Sequence, residues 1–144
     1  MRFLLGIGVC LALVGAGCGG GESSPESVVR AWSSTLNAGD NEGAADLFAP
    51  NARIIQGGAE QRFRSRADAV AWNAGLPCSG RIVRIVSRAD TVTATFVLGD
   101  RETSRCDAPG AKARAVVRVR GGKIVLWHQV PVPEAPPLRT TPVV

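Results

Sequence analysis

The sequence predicts an α+β domain in which helices come first and antiparallel hairpins follow. Three observations carry that reading. Gly121-Gly122 separates two β-rich runs, 111–120 and 123–130. Gly-Gly between such runs signals a two-residue hairpin, because both turn positions favour φ > 0. A second pair of runs, 81–88 and 91–98, turns at Ala89-Asp90. Upstream, Ser24-Pro25-Glu26 has the order of a helix start, with Ser as N-cap, Pro at the first helical position and an acid in the first turn.

The chain has 144 residues, enough for one domain. Met1-Arg2 precedes an apolar run over 3–14, a signal-peptide core too short for a membrane helix. It ends at Gly15-Ala16-Gly17-Cys18. Small residues before a Cys resemble a bacterial lipobox, in which the Cys receives lipid and becomes the mature N-terminus. Ordinary secretion with cleavage near Ala16 is the alternative. The reading divides the chain into a leader (1–17), a Gly-rich flexible tether (18–24), the domain (25–131) and a Pro-rich tail (132–144). The expected location is extracytoplasmic, anchored to the membrane through lipid on Cys18.

Export bears on charge and on the cysteines. The formal net charge of +5 would suit nucleic acid, but an exported chain does not meet it, and no nucleic-acid partner is expected. With Cys10 in the leader and Cys18 lipidated, Cys78 and Cys106 remain, an even pair that predicts a disulfide in an oxidising compartment. Two distant cysteines and one His, with no CxxC, make a poor zinc site. No metal and no cofactor is expected.

Within the domain, Val28, Val29, Trp32 and Leu36 recur at helical spacing, and Gly39 ends that helix. Asp40 caps a second helix over 41–48, stopped by Pro50. A strand over 51–56 turns at Gly57-Gly58 and returns over 60–64. Ser65 with Asp68 opens a third helix over 66–74, bringing Val70 and Trp72. Strict alternation in the 81–88 and 91–98 hairpin places Val83, Ile85, Val92, Ala94, Phe96 and Leu98 on one apolar face. The same rule applied from Gly121-Gly122 sets Val119 opposite Ile124, Val117 opposite Leu126 and Ala115 opposite His128, all facing inward. Lys112, Arg114, Arg118 and Arg120 then face outward with Trp127 and Gln129.

The order of elements, with Val28-Val29, Trp32, Leu36-Asn37-Ala38-Gly39-Asp40 and Leu47-Phe48-Ala49, resembles the nuclear transport factor 2-like superfamily. That group includes ketosteroid isomerases and SnoaL-like cyclases. The resemblance spans about residues 26–130. It implies a cone, with a curved antiparallel sheet wrapped around three N-terminal helices and a pocket inside. It also implies which residues matter. The isomerases use a tyrosine and two acids; the matching positions here hold Trp32, Gln56 and Ala115. All three groups are missing, so isomerase chemistry is not expected.

His128 is the candidate general base if the chain is a cyclase- or hydrolase-type enzyme. Its other readings are a ligand contact or a hydrogen-bonded core histidine. Trp32, Phe48, Gln56, Phe63, Trp72, Ala115 and His128 are the expected pocket residues. The leading expectation is a lipid-anchored small-molecule-binding domain without catalysis, taking an apolar ligand. The alternatives are the His128 enzyme and an envelope protein-interaction module that uses its basic outer face.

Overall fold

The computed structural model describes residue 21 and residues 23–136. The leader, the lipidation candidate Cys18 and the tail beyond residue 136 lie outside the described residues. Helix α1 (Pro25–Asn37) and the short α2 (Asn41–Asp46) come first. Strands β1 (Phe48–Gln56) and β2 (Ala59–Arg62) precede α3 (Arg66–Gly75). Strands β3 (Ser79–Arg88), β4 (Thr91–Gly99), β5 (Lys112–Arg120) and β6 (Lys123–Val130) complete the domain. They form one six-stranded sheet in the order β2-β1-β6-β5-β4-β3. All neighbours are antiparallel except β1 and β6, which run parallel.

The helix starts follow from their caps. Ser24 Oγ accepts from Ser27 N at 3.2 Å, Asp40 Oδ1 from Gly43 N at 2.8 Å, and Ser65 Oγ from Asp68 N at 3.2 Å. Asp68 Oδ2 returns the favour to the backbone, accepting from Arg64 N at 2.7 Å. The expected second helix over 41–48 is shorter than the pattern implied. Pro50 drives the residue before it out of the helical region, so the chain is already extended at Phe48, which begins β1.

Both hairpins begin in the expected register, with Arg88 opposite Thr91 and Arg120 opposite Lys123. Gly121 (φ 55°) and Gly122 (φ 70°) supply the left-handed turn. Neither hairpin then keeps strict alternation. In β3 the register shifts between Ile82 and Arg84, so Ile82 and Ile85 both face the helices and Val83 is left 44% exposed. In β6 it shifts opposite Arg118 and Val119. Val117 pairs with Trp127 and Val116 with His128, so Trp127 points inward and His128 outward. A β-bulge adds one residue to one strand and turns over everything beyond it.

Energetics explain the choice. Burying an indole removes roughly 200 Å² from water, about 5 kcal/mol as an upper figure. A lost ladder hydrogen bond costs about 1 kcal/mol. The core is therefore aromatic. Trp32 lies 4.3 Å from Trp127 between ring centroids and 6.2 Å from Phe96. Phe48, Phe63 and Trp72 pack on one another at 5.2–5.9 Å. No described helix is long and apolar enough to cross a membrane.

Candidate functional site

The turns at Ala89-Asp90 and Gly121-Gly122 lie at the same end of the sheet, since Thr91 pairs with Arg118. A cavity of about 250 Å³ opens at the other end. Its deep wall is Trp32 from α1 and Trp127 from β6, with Phe96 from β4. Ala113 and Ala115 face it from β5, and their small side chains leave the space. Gln56, at the end of β1, and Gln129, near the end of β6, stand around it.

Hydrogen bonds fix these walls. Trp32 Nε1 donates to Asn73 Oδ1 at 2.9 Å, and Asn73 Nδ2 donates to Ala69 O at 2.8 Å. Asn73 is fully buried, so the pair locks the indole to α3. Gln56 Oε1 accepts from Trp72 Nε1 at 3.1 Å, which leaves the Gln56 amide NH₂ as a donor for another partner. The side chain of Asn37 clasps both backbone groups of Gly80, at 2.9 and 3.0 Å. A Cβ at Gly80 would meet Phe96 at 3.1 Å, so glycine lets β3 approach the cavity wall.

Arg101 is a residue that sequence reasoning missed. It is 5% exposed, in the loop between β4 and β5. Its Nη1 donates to the carbonyls of Asn73 and Leu76, each at 2.8 Å, and its Nη2 to Asn41 Oδ1 at 2.6 Å. These carbonyls lie at the C-terminal end of α3, where the helix dipole is negative. Burial pushes the guanidinium below its ordinary pKa. No local signal in a polar loop marks such a residue. It holds the loop against Leu36 and Leu76, two cavity residues.

The sulfurs of Cys78 and Cys106 lie 2.10 Å apart, with Cα atoms 4.4 Å apart, joining the start of β3 to that same loop. Asp107 stands beside them, its Oδ1 3.3 Å from Cys78 Sγ. Together the three have the spacing of a metal site. Bonded sulfurs carry no thiolate, so the group is not suited to zinc.

Of the expected pocket residues, Trp32, Gln56 and Ala115 line the cavity. Phe48 and Phe63 do not; they plug the opposite end of the cone with Ala45 and Ala69. Trp72 lies between, stacked 6.3 Å from Trp32 and bonded to Gln56. His128 is on the other side of the sheet, opposite Val116 and beside Ile55. It is therefore neither a core histidine beneath the helices nor a base in the cavity, and Trp127, expected on the outer face with the arginines, is buried on the inner one. Gln129 takes the cavity place that strict alternation had assigned to His128. Among the side chains at the cavity, Asp107 is the acid and no imidazole is present.

Three solved structures share this fold. The nuclear transport factor 2-like protein of unknown function from Cytophaga hutchinsonii superposes with a TM-score of 0.62 at 9% identity, covering 77% of this chain and 92% of its own. A hypothetical protein with a ketosteroid isomerase-like fold from Catenulispora acidiphila, in complex with trimethylamine, gives 0.58 at 21% identity, covering 75% and 86%. A provisionally assigned polyketide cyclase from Sinorhizobium meliloti gives 0.59 at 13% identity, covering 72% and 94%. At these identities the likeness shows the fold. No curated protein matches the sequence. The family model for the SnoaL-like domain matches residues 29–127, more than half of the chain. The chain belongs to the SnoaL-like domain family, whose fold is nuclear transport factor 2-like.

Proposed function

We propose that the protein is a lipid-anchored, extracytoplasmic domain that binds a small molecule and does not turn it over. The observation that carries this is the chemistry of the cavity: aromatic and alanine walls with Gln56, Gln129, Arg114 and Asp107 around them, and the chain's histidine on the far side of the sheet. A ligand with an apolar body and one hydrogen-bonding group fits those walls. The Gln56 NH₂ donor and the Gln129 amide would orient it. The lipobox-like Gly15-Ala16-Gly17-Cys18 and the paired Cys78 and Cys106 support an exported, oxidising location.

Native mass spectrometry of protein extracted from its own membrane tests the whole reading. The expected spectrum carries lipid on Cys18, the mass deficit of the Cys78–Cys106 bond and a retained small molecule. Replacing Ala113→Phe, which fills the cavity opposite Phe96, should remove the retained molecule and leave the fold. A retained molecule that survives this change would contradict the site.

A further inference from the structure

The far pole of the molecule has a different character. Glu26 Oε2 accepts from Ser87 Oγ at 3.4 Å, which sets the start of α1 beside the end of β3. The described chain therefore enters α1 at the hairpin-turn pole, away from the cavity mouth. Seven residues, 18–24, span roughly 25 Å when fully extended.

The outer sheet face next to that point is basic. Arg84 and Arg88 are exposed on β3, and Arg114 is half-buried on β5. Thr91, Thr93 and Thr95 lie between them in one groove that Asp90 and Pro133 also line, and the Thr91 hydroxyl donates to Asp90 Oδ1 at 2.9 Å. None of the three arginines has an ion-pair partner among the described residues. Val86, between Arg84 and Arg88, and Val83, just before Arg84, are the exposed large apolar residues of the described chain, at 47% and 44%. Charged side chains on an edge strand also deter strand pairing. That role does not call for arginine on β5 or for exposed valines. A second copy of the chain is a poor occupant, because it would set these arginines against their own copies.

We propose that this outer face, from Arg84 and Arg88 across to Arg114, docks on an anionic phospholipid bilayer, with Val83 and Val86 at the headgroup level. Guanidiniums and the hydroxyls of Thr93 and Thr95 suit phosphate oxygens. The choice of a bilayer over another polyanion rests on the anchoring reading above.

The test uses residues 19–144, the whole chain that follows the lipidation candidate Cys18. Sedimentation with vesicles of phosphatidylglycerol in phosphatidylcholine should show binding that weakens as salt rises. Vesicles of phosphatidylcholine alone should not bind. Each basic group near such a surface is worth about fivefold in affinity. The triple variant Arg84→Gln, Arg88→Gln, Arg114→Gln should therefore bind about 100-fold more weakly, and the corresponding triple Lys variant should retain binding. Circular dichroism establishes that each variant is folded. No binding to anionic vesicles, equal binding to neutral ones, or an unaffected Gln variant would overturn the proposal. Missing lipid on native Cys18 would overturn the anchoring reading instead, and leaves the vesicle result as it stands.

Discussion

Strands β5 and β6 are the two arms of one hairpin, and they obey different rules. Along β5 alternation holds to the end: Ala113, Ala115, Val117 and Val119 face the helices, while Arg114, Arg118 and Arg120 face out. Along β6 it holds for Ile124 and then inverts at the bulge, so Trp127 takes the inner face and His128 the outer. A tight turn sets register only as far as the next irregularity. Beyond that, the side chain with most to gain from burial decides.

The sharpest way to break the comparison is at the two neighbours on β6. Trp127→Ala should cost about 3–5 kcal/mol by leaving a cavity beside Trp32. His128→Ala should stay within about 0.5 kcal/mol. Urea unfolding of the two variants reads the difference, and equal losses would refute the inversion. The bulge on β3 makes a second, smaller contrast. Ile82→Ala should cost about 2 kcal/mol and Val83→Ala no more than about 0.5 kcal/mol, again by urea midpoint.

Smaller still is the turn itself. Gly121→Ala forces a side chain into φ 55° and should cost about 1 kcal/mol, seen as a lower melting temperature. The smallest effect is electrostatic, at the adjoining turn. The Thr91 hydroxyl and then Arg120 and Arg118 hold Asp90 below its usual 3.8. A carboxyl with a depressed folded value adds stability above the unfolded value, and that stability is lost as pH falls through the folded one. Asp90→Asn should therefore flatten the loss of stability below about pH 4, with little change at neutral pH.

Much of the fold was legible because caps and turns are local. Ser24, Asp40 and Ser65 start their helices from hydrogen bonds within three residues, and Gly121-Gly122 needs no distant partner. The inner face of β5 was legible for the same reason. What the residues could not reveal is set by contacts far along the chain. The bulge that buries Trp127 is stabilised by Trp32, and the guanidinium of Arg101 by carbonyls of another element. His128 looked like a site residue because period-two alternation was extended through an irregularity that leaves no mark in the sequence. Ala113 and Ala115 face the cavity, but Ala115 lies opposite Gln129 and not His128, so the amides of Gln56 and Gln129 stand where an imidazole was expected.

The inversion in β6 is tested most directly by nuclear Overhauser effects in the folded domain. The account predicts contacts between the Trp127 and Trp32 indoles, and between the His128 imidazole and the methyls of Val116 and Ile55. Contacts from His128 to the Ala115 methyl, with Trp127 against Val116, would contradict it.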